Sequence, residues 1–381
     1  MEGLSAARSR SPKEPVLSAA ARFDIPGRLL SSKRFGSGLI NDTWICTFTE
    51  SGSERRYILQ RINTSVFANP AQVMENVEIV IQHIVGRLKA EGIVDPISAT
   101  PILIPTKSGR PYFIDEDGGF WRAFHYIQSS EVYDTVVDRR VAREVGRGLG
   151  RFQCLVSDLP AHLLHDTLPG FHHTPAYLKA FDEAVKKDVK KRVAGARAEV
   201  AFVNIRRHIA PILSDAMNSG SVPIRVVHND PKVNNILIST ETREAICMID
   251  LDTVKPGITA FDFGDCLRSA ANSGGEDAAD FSEVRFSLDI FDAVAGGYLS
   301  EAGGFLTKNE TDLLPDSVKV ITFELGLRFL TDYLRGDTYF NIKYPGHNLH
   351  RARVQFLLLE QVEKAEKEMK DIIAGHVRRT S

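Results

Sequence analysis

Hydrophobic and polar residues alternate along two early stretches of the chain, residues 32–49 and 53–63. Alternation with a period of two predicts β-strands, and the polar, glycine-containing residues between the two stretches predict a hairpin turn. Over residues 70–90 the apolar positions recur at the spacing of a helix. Two more strands are predicted at 101–105 and 120–127. The first part of the chain is therefore predicted to be a sheet with one helix.

Beyond Gln128 the alternation ends and helical periodicity takes over. Helices are predicted at 135–157, 175–194, 196–217, 279–298, 308–335 and 348–374, and short strands at 224–228, 236–239 and 245–251. The sequence thus predicts an α+β protein with two lobes. We expect a mobile extension over 1–28, a small antiparallel-sheet N-lobe over 29–128, and a larger helical C-lobe over 129–381.

Composition narrows the possible partners. The formal net charge is -2, which provides no electrostatic attraction to nucleic acid or to an anionic membrane. The sequence contains no run of 18 apolar residues, so no membrane-spanning helix is predicted. The four cysteines form no C-x-x-C pair, as is typical of a protein from a reducing compartment. We therefore expect a cytoplasmic protein, a monomer or weak dimer.

The most informative segment is residues 226–238, which has the form H-x-D-x-x-x-x-N between two apolar runs. In phosphoryl transfer an aspartate beside the attacking hydroxyl accepts its proton, and an asparagine five residues later reaches a magnesium ion on the phosphates. Asp230 and Asn235 have this spacing. A strand on each side would hold the loop rigidly, as catalysis by positioning requires.

A second segment, residues 245–252, is an apolar strand that runs directly into a carboxylate. Asp250 would leave the strand at the mouth of the site, where an oxygen ligand suits magnesium. Each segment alone has a simpler interpretation, a loop cap for the first and a strand ending in solvated carboxylates for the second. Their order and short separation favour a kinase-type site.

Together, HNDPKVNN and IDLD resemble the aminoglycoside phosphotransferase and choline kinase superfamily, which is related to the protein kinases. YILQRINTSVFANP, TDYLRGDTYF and YPGHNLHRAR are similar to the bacterial N-acetylhexosamine 1-kinases. The resemblance covers residues 30–370. It implies a protein-kinase-like two-lobed fold, ATP and Mg²⁺ as cofactors, and transfer of phosphate to the C1 hydroxyl of an N-acetylhexosamine.

The resemblance also implies roles for individual residues. Asp230 would be the catalytic base, supported in its loop by His228 and Lys232. Asn235 and Asp250 would bind magnesium. The resemblance leaves two roles open: Asp252 assists the metal or braces the loop, and Asp262 and Asp265 are structural carboxylates or helix caps.

The residues expected to contact ATP are Gly36, Ser37, Gly38, Gln60, Arg61, Phe124, Tyr126 and Asn235. The two glycines would let the backbone cover the phosphates, although they would also fit a bend in an edge strand. Kinases of this fold usually place a lysine on the third strand. Here Gln60 aligns with that lysine and Arg61 follows it, and in an alternating strand only one of them can face the nucleotide.

The residues expected to bind the acceptor are Asp42, Asp332, Tyr333 and Arg351, because a polyhydroxyl ligand needs charged hydrogen-bonding groups and an aromatic face. Two alternatives stay open. The acceptor could be an amino alcohol, an aminoglycoside or a methylthio-sugar. The chain could also be a pseudokinase that binds nucleotide without turnover, an interpretation that the missing lysine favours and the complete set of Asp230, Asn235 and Asp250 opposes.

Overall fold

The computed structural model describes residues 14–35 and 41–380. These residues fall into two units, one ending at Gln128 and the other beginning at Ser129. The first is built on an antiparallel sheet and the second is mostly helical. This confirms the predicted α+β class.

The described residues of the first unit form one antiparallel sheet, with strands of different lengths, and two α-helices. Its elements are α1 (Glu14–Ala20), β1 (Arg28–Arg34), β2 (Asp42–Glu50), β3 (Ser53–Ile62), α2 (Pro70–Ala90), β4 (Leu103–Ile104), β5 (Phe113–Ile114) and β6 (Phe120–His125). The strand order is β1-β2-β3-β6-β4, with β5 paired to β6. The alternating residues of β2 and β3 bury one face of the sheet, for example Cys46 and Leu59.

The predicted hairpin is the β2–β3 pair. Ser51 and Gly52 at its turn both have positive φ, 50° and 83°, as a tight two-residue hairpin turn requires. The single strand predicted over 32–49 is wrong, however. Arg34 at the end of β1 pairs antiparallel with Trp44 of β2, so the chain reverses direction within that stretch. Alternation identifies extended backbone but not a reversal inside it.

Residues 14–25 also differ from the prediction of a mobile extension over 1–28. Val16 and Ala19 of α1 are buried together with Phe23 and Ile25, in one apolar cluster with β2 and β3. Burial of this apolar surface holds the segment against the sheet. Residues 1–13 lie outside the described part of the chain.

Helix α2 has the predicted bounds. The Asn69 side chain accepts the N–H of Gln72 at the first turn, and Pro70 occupies the first helical position, where its missing N–H costs no hydrogen bond. Val73, Val77 and Ile84 are buried along one face. The cap, the proline and the apolar stripe agree, which is why the sequence alone located this helix.

The second unit contains nine helices and five short strands among the described residues. The helices are α3 (Arg139–Leu155), α4 (Thr174–Lys187), α5 (Arg197–Ile205), α6 (Ile212–Asn218), α7 (Thr259–Ala270), α8 (Leu288–Ala302), α9 (Lys308–Arg335), α10 (His347–Lys364) and α11 (Glu366–Thr380). The strands are β7 (Ser130–Glu131), β8 (Arg225–Val227), β9 (Ile236–Ser239), β10 (Ala245–Met248) and β11 (Lys255–Gly257). They form two small sheets, β10-β9-β7 and β11-β8.

Of the six helices predicted beyond Gln128, the one at 308–335 has the predicted bounds. Those at 135–157 and 175–194 are shorter in the structure, Arg139–Leu155 and Thr174–Lys187. The other three differ more. The one at 196–217 is divided into α5 and α6, with the 3-10 turn Arg207–Ile209 between them. The one at 279–298 begins only at Leu288, where the Ser287 side chain caps α8. The one at 348–374 is divided at Ala365. Within the described residues, no helix is both long enough and apolar enough to cross a bilayer.

Helices α3 and α8 approach each other closely at glycines. A Cβ atom on Gly146 would lie 2.0 Å from the Val294 carbonyl oxygen, and one on Gly297 would lie 2.0 Å from that of Arg143. No side chain fits at either position. The close approach brings Gln153 of α3 beside α8, beneath the loop that follows β8.

Candidate active site

The loop that carries the predicted catalytic residues connects β8 to β9. A single 3-10 turn, Val233–Asn235, leads into β9. Strand β10 pairs with β9, and β11 pairs with β8, so the chain after β10 returns to the loop. There the Ile249 N–H donates to the Asn235 carbonyl at 2.8 Å. The backbone just before Asp250 is therefore fixed against the loop.

The Asp230 carboxylate is held from two sides and stays partly open. The Asn235 amide donates to the Asp230 carbonyl at 2.7 Å and to its Oδ2 at 3.1 Å. The Lys232 ammonium is 2.9 Å from the same Oδ2, and the Asp230 side chain is 28% exposed. Burial raises the pKa of Asp230, while the Lys232 charge acts to lower it. The result is an oriented carboxylate with increased basicity.

His228 is enclosed by the loop rather than directed at a substrate. Its Nε2 lies 3.0 Å from the Ile249 carbonyl, and its Nδ1 accepts the Asp230 N–H at 3.3 Å. These two bonds select the neutral tautomer with the proton on Nε2. Burial lowers the pKa of His228, which also favours the neutral ring. His228 therefore braces the backbone of Asp230.

Below the loop, Asp262 of α7 binds the backbone on the other side. Its carboxylate accepts the N–H groups of His228 and Asn229 at 2.8 and 2.7 Å, and the Gln153 amide at 2.9 Å. The backbone of Asn229 has a φ of 66°, a conformation that is costly for a non-glycine residue. The fully buried Asp262 carboxylate holds the loop in this conformation.

The interpretation of Asp262 as a helix cap is wrong. Helix α7 begins at Thr259, and its capping residue, Ile258, makes no side-chain bond to the helix. Asp262 lies in the first turn, but its oxygens bind the loop. The helix has buried residues on all sides, so it showed no amphipathic pattern in the sequence and was not predicted as an element.

Tyr298 of α8 holds Gln153, which in turn donates to Asp262. Its hydroxyl donates to Gln153 Oε1 at 2.6 Å. We expect Tyr298→Phe to lower the free energy of unfolding by about 1–3 kcal/mol, since it leaves a buried amide oxygen without a donor. Turnover should change little, because Asp262 keeps both backbone bonds. Urea unfolding of this variant and of Tyr344→Phe, which alters a half-exposed ring, would measure the difference; equal stabilities would contradict the prediction.

Asn235 and Asp250 supply oxygen atoms that fit magnesium. The Asn235 amide nitrogen donates to Asp230, which leaves its oxygen for another partner. Asp250 is exposed and has a φ of 63°. Among the described residues no group of three His, Cys, Asp or Glu side chains is arranged for a metal. Magnesium does not need one, since it binds through one or two protein oxygens together with phosphate oxygens and water.

Two further carboxylates, Asp252 and Asp265, act electrostatically on residues of the loop. Asp252 is buried, 3% exposed, and its charge acts on His228. Burial acts to raise the pKa of Asp265, but the Arg268 guanidinium 2.8 Å away outweighs it and the pKa is lowered. Asp265 is therefore ionised, and its charge acts on Asp230.

The structure describes only some of the first-unit residues that were predicted to contact ATP. Gly36, Ser37 and Gly38 lie outside the described residues. The Gln60 amide donates to Thr43 Oγ1 at 3.0 Å and accepts the Arg122 Nε–H at 3.0 Å. Arg122 is directly opposite Gln60 across β3 and β6 and is 1% exposed. A buried cation thus accompanies the glutamine, and the sequence pattern did not single it out.

Arg61 points to the opposite face of the sheet from Gln60. Its guanidinium lies 5.9 Å from the centre of the Trp121 ring, and its charge acts on Asp115. Phe124 lies under the Arg122 guanidinium at 5.1 Å. Tyr126 lies under Arg56 at 4.2 Å. The Met74 sulfur of α2 contacts Arg122, the hydrogen-bond partner of Gln60. Gln60, not Arg61, therefore lies on the face of the sheet that packs against α2.

Asp332, predicted to bind the acceptor, instead shapes a loop. Its buried carboxylate accepts the backbone N–H groups of Thr338, Tyr339 and Phe340, each at 2.9 Å, and the Asn348 amide at 2.9 Å. All of these donors belong to the protein. Asp332 therefore positions the residues after α9 through these bonds, and its direct contact with substrate stays a prediction.

The other predicted acceptor residues also have partners within the fold. Asp42 forms an ion pair with Arg34 across β1 and β2. Tyr333 packs against an apolar core cluster of the second unit and lies under the Arg192 guanidinium at 4.7 Å. These contacts explain both residues without a ligand.

Arg351, the last predicted acceptor residue, belongs to a charged network around Asp277. Arg351 Nε is 2.5 Å and Lys343 Nζ 2.7 Å from the Asp277 carboxylate, and His347 is 3.2 Å away. Burial acts to raise the pKa of Asp277, but these donors outweigh it and lower the pKa well below its usual range. The network joins the loop after α9 to the segment before α8.

The Asp277 network makes stability depend on pH. A carboxyl whose pKa is depressed by folding stabilises the folded state above its unfolded pKa, near 4, and loses that contribution as the pH falls. We expect Asp277→Asn to lower the free energy of unfolding at pH 7 by about 1.5–3 kcal/mol. The difference from the original protein should shrink by pH 3. Urea unfolding at both pH values measures it, and a difference independent of pH would contradict the assignment.

The structure contains a cluster around Arg328 of α9 that was not predicted from the sequence. Its guanidinium carbon lies 5.3 Å from the ring centre of Phe171, 5.1 Å from Tyr177, 5.8 Å from Tyr339 and 5.5 Å from Phe340. We call these four rings and the arginine the Arg328 cluster. They come from three separate parts of the chain, so no local motif could reveal them.

A buried histidine joins the Arg328 cluster to the loop that contains Asp230. His172 Nδ1 is 3.0 Å from Glu324, one turn before Arg328 on α9. Its ring stacks on Phe261 at 5.0 Å, next to Asp262 in the chain. His172 Nε2 is buried and has no hydrogen-bond partner among the described residues. A buried polar atom of this kind marks a place for a water molecule or a ligand group.

Comparison with known proteins places this site in context. The sequence profile of the phosphotransferase enzyme family, APH, matches residues 31–294. These residues include the loop between β8 and β9, Asp250 and Asp262. The match therefore covers more than half of the chain and parts of both units.

Three solved structures show the same fold. An aminoglycoside phosphotransferase from Alicyclobacillus acidocaldarius aligns over 97% of this chain and 99% of its own, with 14% identity and a TM-score of 0.62. A choline kinase from Cryptosporidium parvum aligns over 96% and 98%, with 14% identity and a TM-score of 0.55. A spectinomycin phosphotransferase solved with ADP and spectinomycin aligns over 90% and 94%, with 11% identity and a TM-score of 0.51. The fold is therefore that of the kinase-like phosphotransferases.

Proposed function

The chain belongs to the APH family of phosphotransferase enzymes, and from that premise we propose that it transfers the γ-phosphate of ATP to the C1 hydroxyl of an N-acetylhexosamine. The observation that carries the proposal is the Asp230 carboxylate, fixed by Asn235 and Lys232 and partly open. Nothing in the loop's own folding requires an open, polar carboxylate at this position.

Asp230 is the group that orients the acceptor hydroxyl and takes its proton as the new P–O bond forms. Its raised pKa makes it a better proton acceptor than an ordinary aspartate. The bonds from His228 and Asp262 to the loop backbone keep it in one position. Positioning of this kind accounts for much of catalysis in phosphoryl transfer, where the protein performs little covalent chemistry.

Asn235 and Asp250 are the residues that would hold magnesium. When bound, the ion would neutralise charge on the phosphates. The backbone bond from Ile249 to Asn235 fixes the origin of both side chains, so the pair is positioned before any ligand binds. Asp252, buried beside His228, braces the loop in this account.

For the nucleotide, we propose that Gln60 and Arg122 take the place of the lysine that is missing from the third strand. The two side chains share one face of the sheet and are hydrogen-bonded, so the guanidinium is oriented. The other residues predicted to contact ATP stay as proposals: Gly36, Ser37, Gly38, Phe124 and Tyr126.

The acceptor assignment is supported by the Arg328 cluster and by His172. A sugar is recognised by charged hydrogen-bond donors and by aromatic faces, and the cluster contains both. The unpartnered His172 Nε2 adds a polar atom on the side of α7 that faces α9. A carbonyl or hydroxyl of an N-acetylated sugar offers the matching groups.

The test is an acceptor panel. The purified protein is incubated with ATP and magnesium and, separately, with N-acetylglucosamine, N-acetylgalactosamine, choline, ethanolamine, an aminoglycoside and methylthioribose, and ADP release is recorded. We expect release with an N-acetylhexosamine at a rate at least about tenfold above that without acceptor. Release with only another acceptor would overturn the sugar assignment, and nucleotide binding without release for any acceptor would favour the pseudokinase.

A further inference from the structure

The four rings around Arg328 form the kind of enclosure that proteins use to bind a quaternary ammonium ion. Such a site places a cation within about 6 Å of the centres of several aromatic rings. All four rings of the Arg328 cluster meet this distance, between 5.1 and 5.8 Å. In this protein the cation among the rings is the guanidinium group of Arg328.

The enclosure is assembled by specific contacts rather than by general packing. Tyr339 and Phe340 are set in place by their backbone bonds to Asp332. Tyr177 is partly buried, and this burial raises its pKa to about 12 although the Arg328 charge acts against it. Tyr339 is 71% exposed, so one wall of the enclosure faces solvent. A small ligand can therefore approach the rings from that side.

The enclosure also lies close to the catalytic loop. Arg328 follows Glu324 by one helical turn, and Glu324 binds His172. His172 stacks on Phe261, directly before the Asp262 that anchors the loop. The Arg328 cluster is thus connected to the loop of Asp230 through the contacts of His172 and Phe261.

We propose that Arg328 occupies an aromatic cation site from within and thereby makes the acceptor site selective for uncharged molecules. The inference rests on the proposed phosphotransfer to a small hydroxyl compound, and it adds the residue that rejects cationic acceptors. An ammonium group entering the cluster would meet a fixed positive charge that already lies 5.1–5.8 Å from the centre of every ring that could attract it. Like charges at this distance repel strongly away from bulk water.

Two ligands of nearly equal shape test the charge directly. Choline and 3,3-dimethyl-1-butanol differ mainly in the positive charge on the quaternary centre. Their dissociation constants are measured by ligand-observed NMR with ADP and magnesium present, so that no turnover is needed. For the original protein we expect the neutral alcohol to bind at least about tenfold more tightly than choline. Equal binding, or tighter binding of choline, would overturn the inference.

Replacing the arginine should open the site to cations. We expect R328M to shift the ratio of the two dissociation constants by about tenfold or more towards choline, which corresponds to about 1.4 kcal/mol. R328Q also removes the positive charge from the cluster. If R328M does not fold, the ratio of the dissociation constants is measured with R328Q instead. R328K keeps the positive charge and should keep the original ratio.

The matched control is R335M, because Arg335 is an exposed arginine on the same helix. It should leave the ratio unchanged. A folded R328M or R328Q with the original ratio would show that Arg328 is only a packing residue. Failure of the acceptor panel with every sugar would instead count against the proposed function, since the binding ratio does not depend on transfer.

Discussion

Asp230→Asn is expected to lower turnover by about 10²–10⁴-fold, the usual contribution of a positioned general base. The amide of asparagine keeps nearly the same shape but cannot accept the hydroxyl proton. ATP affinity should change by less than about threefold, because Asp230 lies on the acceptor side of the reaction in this account. Steady-state kinetics and calorimetric titration with ATP measure the two effects separately.

The control for this experiment is Asp280→Asn. Asp280 is exposed, and its side chain accepts the Ser282 N–H at 2.8 Å, a task that asparagine performs equally well. Turnover of this variant should be unchanged. Near-normal turnover of Asp230→Asn would remove Asp230 from the mechanism, and a parallel loss of ATP binding would assign it a role with the nucleotide instead.

Asp262→Asn is expected to have the second largest effect, on both stability and turnover. An asparagine places an NH₂ group where the carboxylate now accepts donors from His228, Asn229 and Gln153. At least one buried donor then loses its acceptor, at a cost of about 2–4 kcal/mol in the free energy of unfolding. Turnover should fall by about 10²-fold, since a small displacement of a catalytic group has that effect.

Urea unfolding and kinetics on the same preparation measure both effects. The two should appear together under conditions where the variant is folded. Normal stability and normal turnover would show that the loop holds its shape without Asp262. Lost stability with normal turnover would show that Asp262 supports the helices but not the position of Asp230.

The sequence predicted long helices well where local signals agree. Helix α9 begins at a capping box formed by Thr307 and Glu310 and ends before Gly336, which has a φ of 107°, and its bounds match the prediction. These signals lie within a few residues of each helix end. Helix α7 has no such cap and is buried all around, so neither a start signal nor an apolar stripe was available.

The sequence also predicted that the segments carrying Asp230, Asn235 and Asp250 come together in the candidate site. The distances between Asp230, Asn235 and Asp250 along the chain are short, and the intervening β9–β10 hairpin follows from local alternation. The structure accordingly joins the two segments through Ile249 and Asn235. Local spacing suffices when two groups are connected by one hairpin.

The acceptor side could not be predicted in this way. Asp332 resembled a ligand-binding carboxylate, yet its partners are backbone N–H groups six to eight residues later, which carry no sequence signal. The Arg328 cluster joins Phe171 to Phe340, and His172 meets Glu324 across 152 residues. Contacts of that separation depend on tertiary packing, so single-sequence patterns do not contain them.

The most direct test of the account is the chemical identity of the product. The protein is incubated with magnesium, ATP and N-acetylglucosamine or N-acetylgalactosamine labelled with ¹³C at C1, and the mixture is followed by ³¹P NMR. The account predicts a new phosphate ester resonance split by coupling to the labelled C1, absent with Asp230→Asn. An ester without that coupling would contradict transfer to C1, and inorganic phosphate as the sole product would contradict phosphotransfer to the sugar.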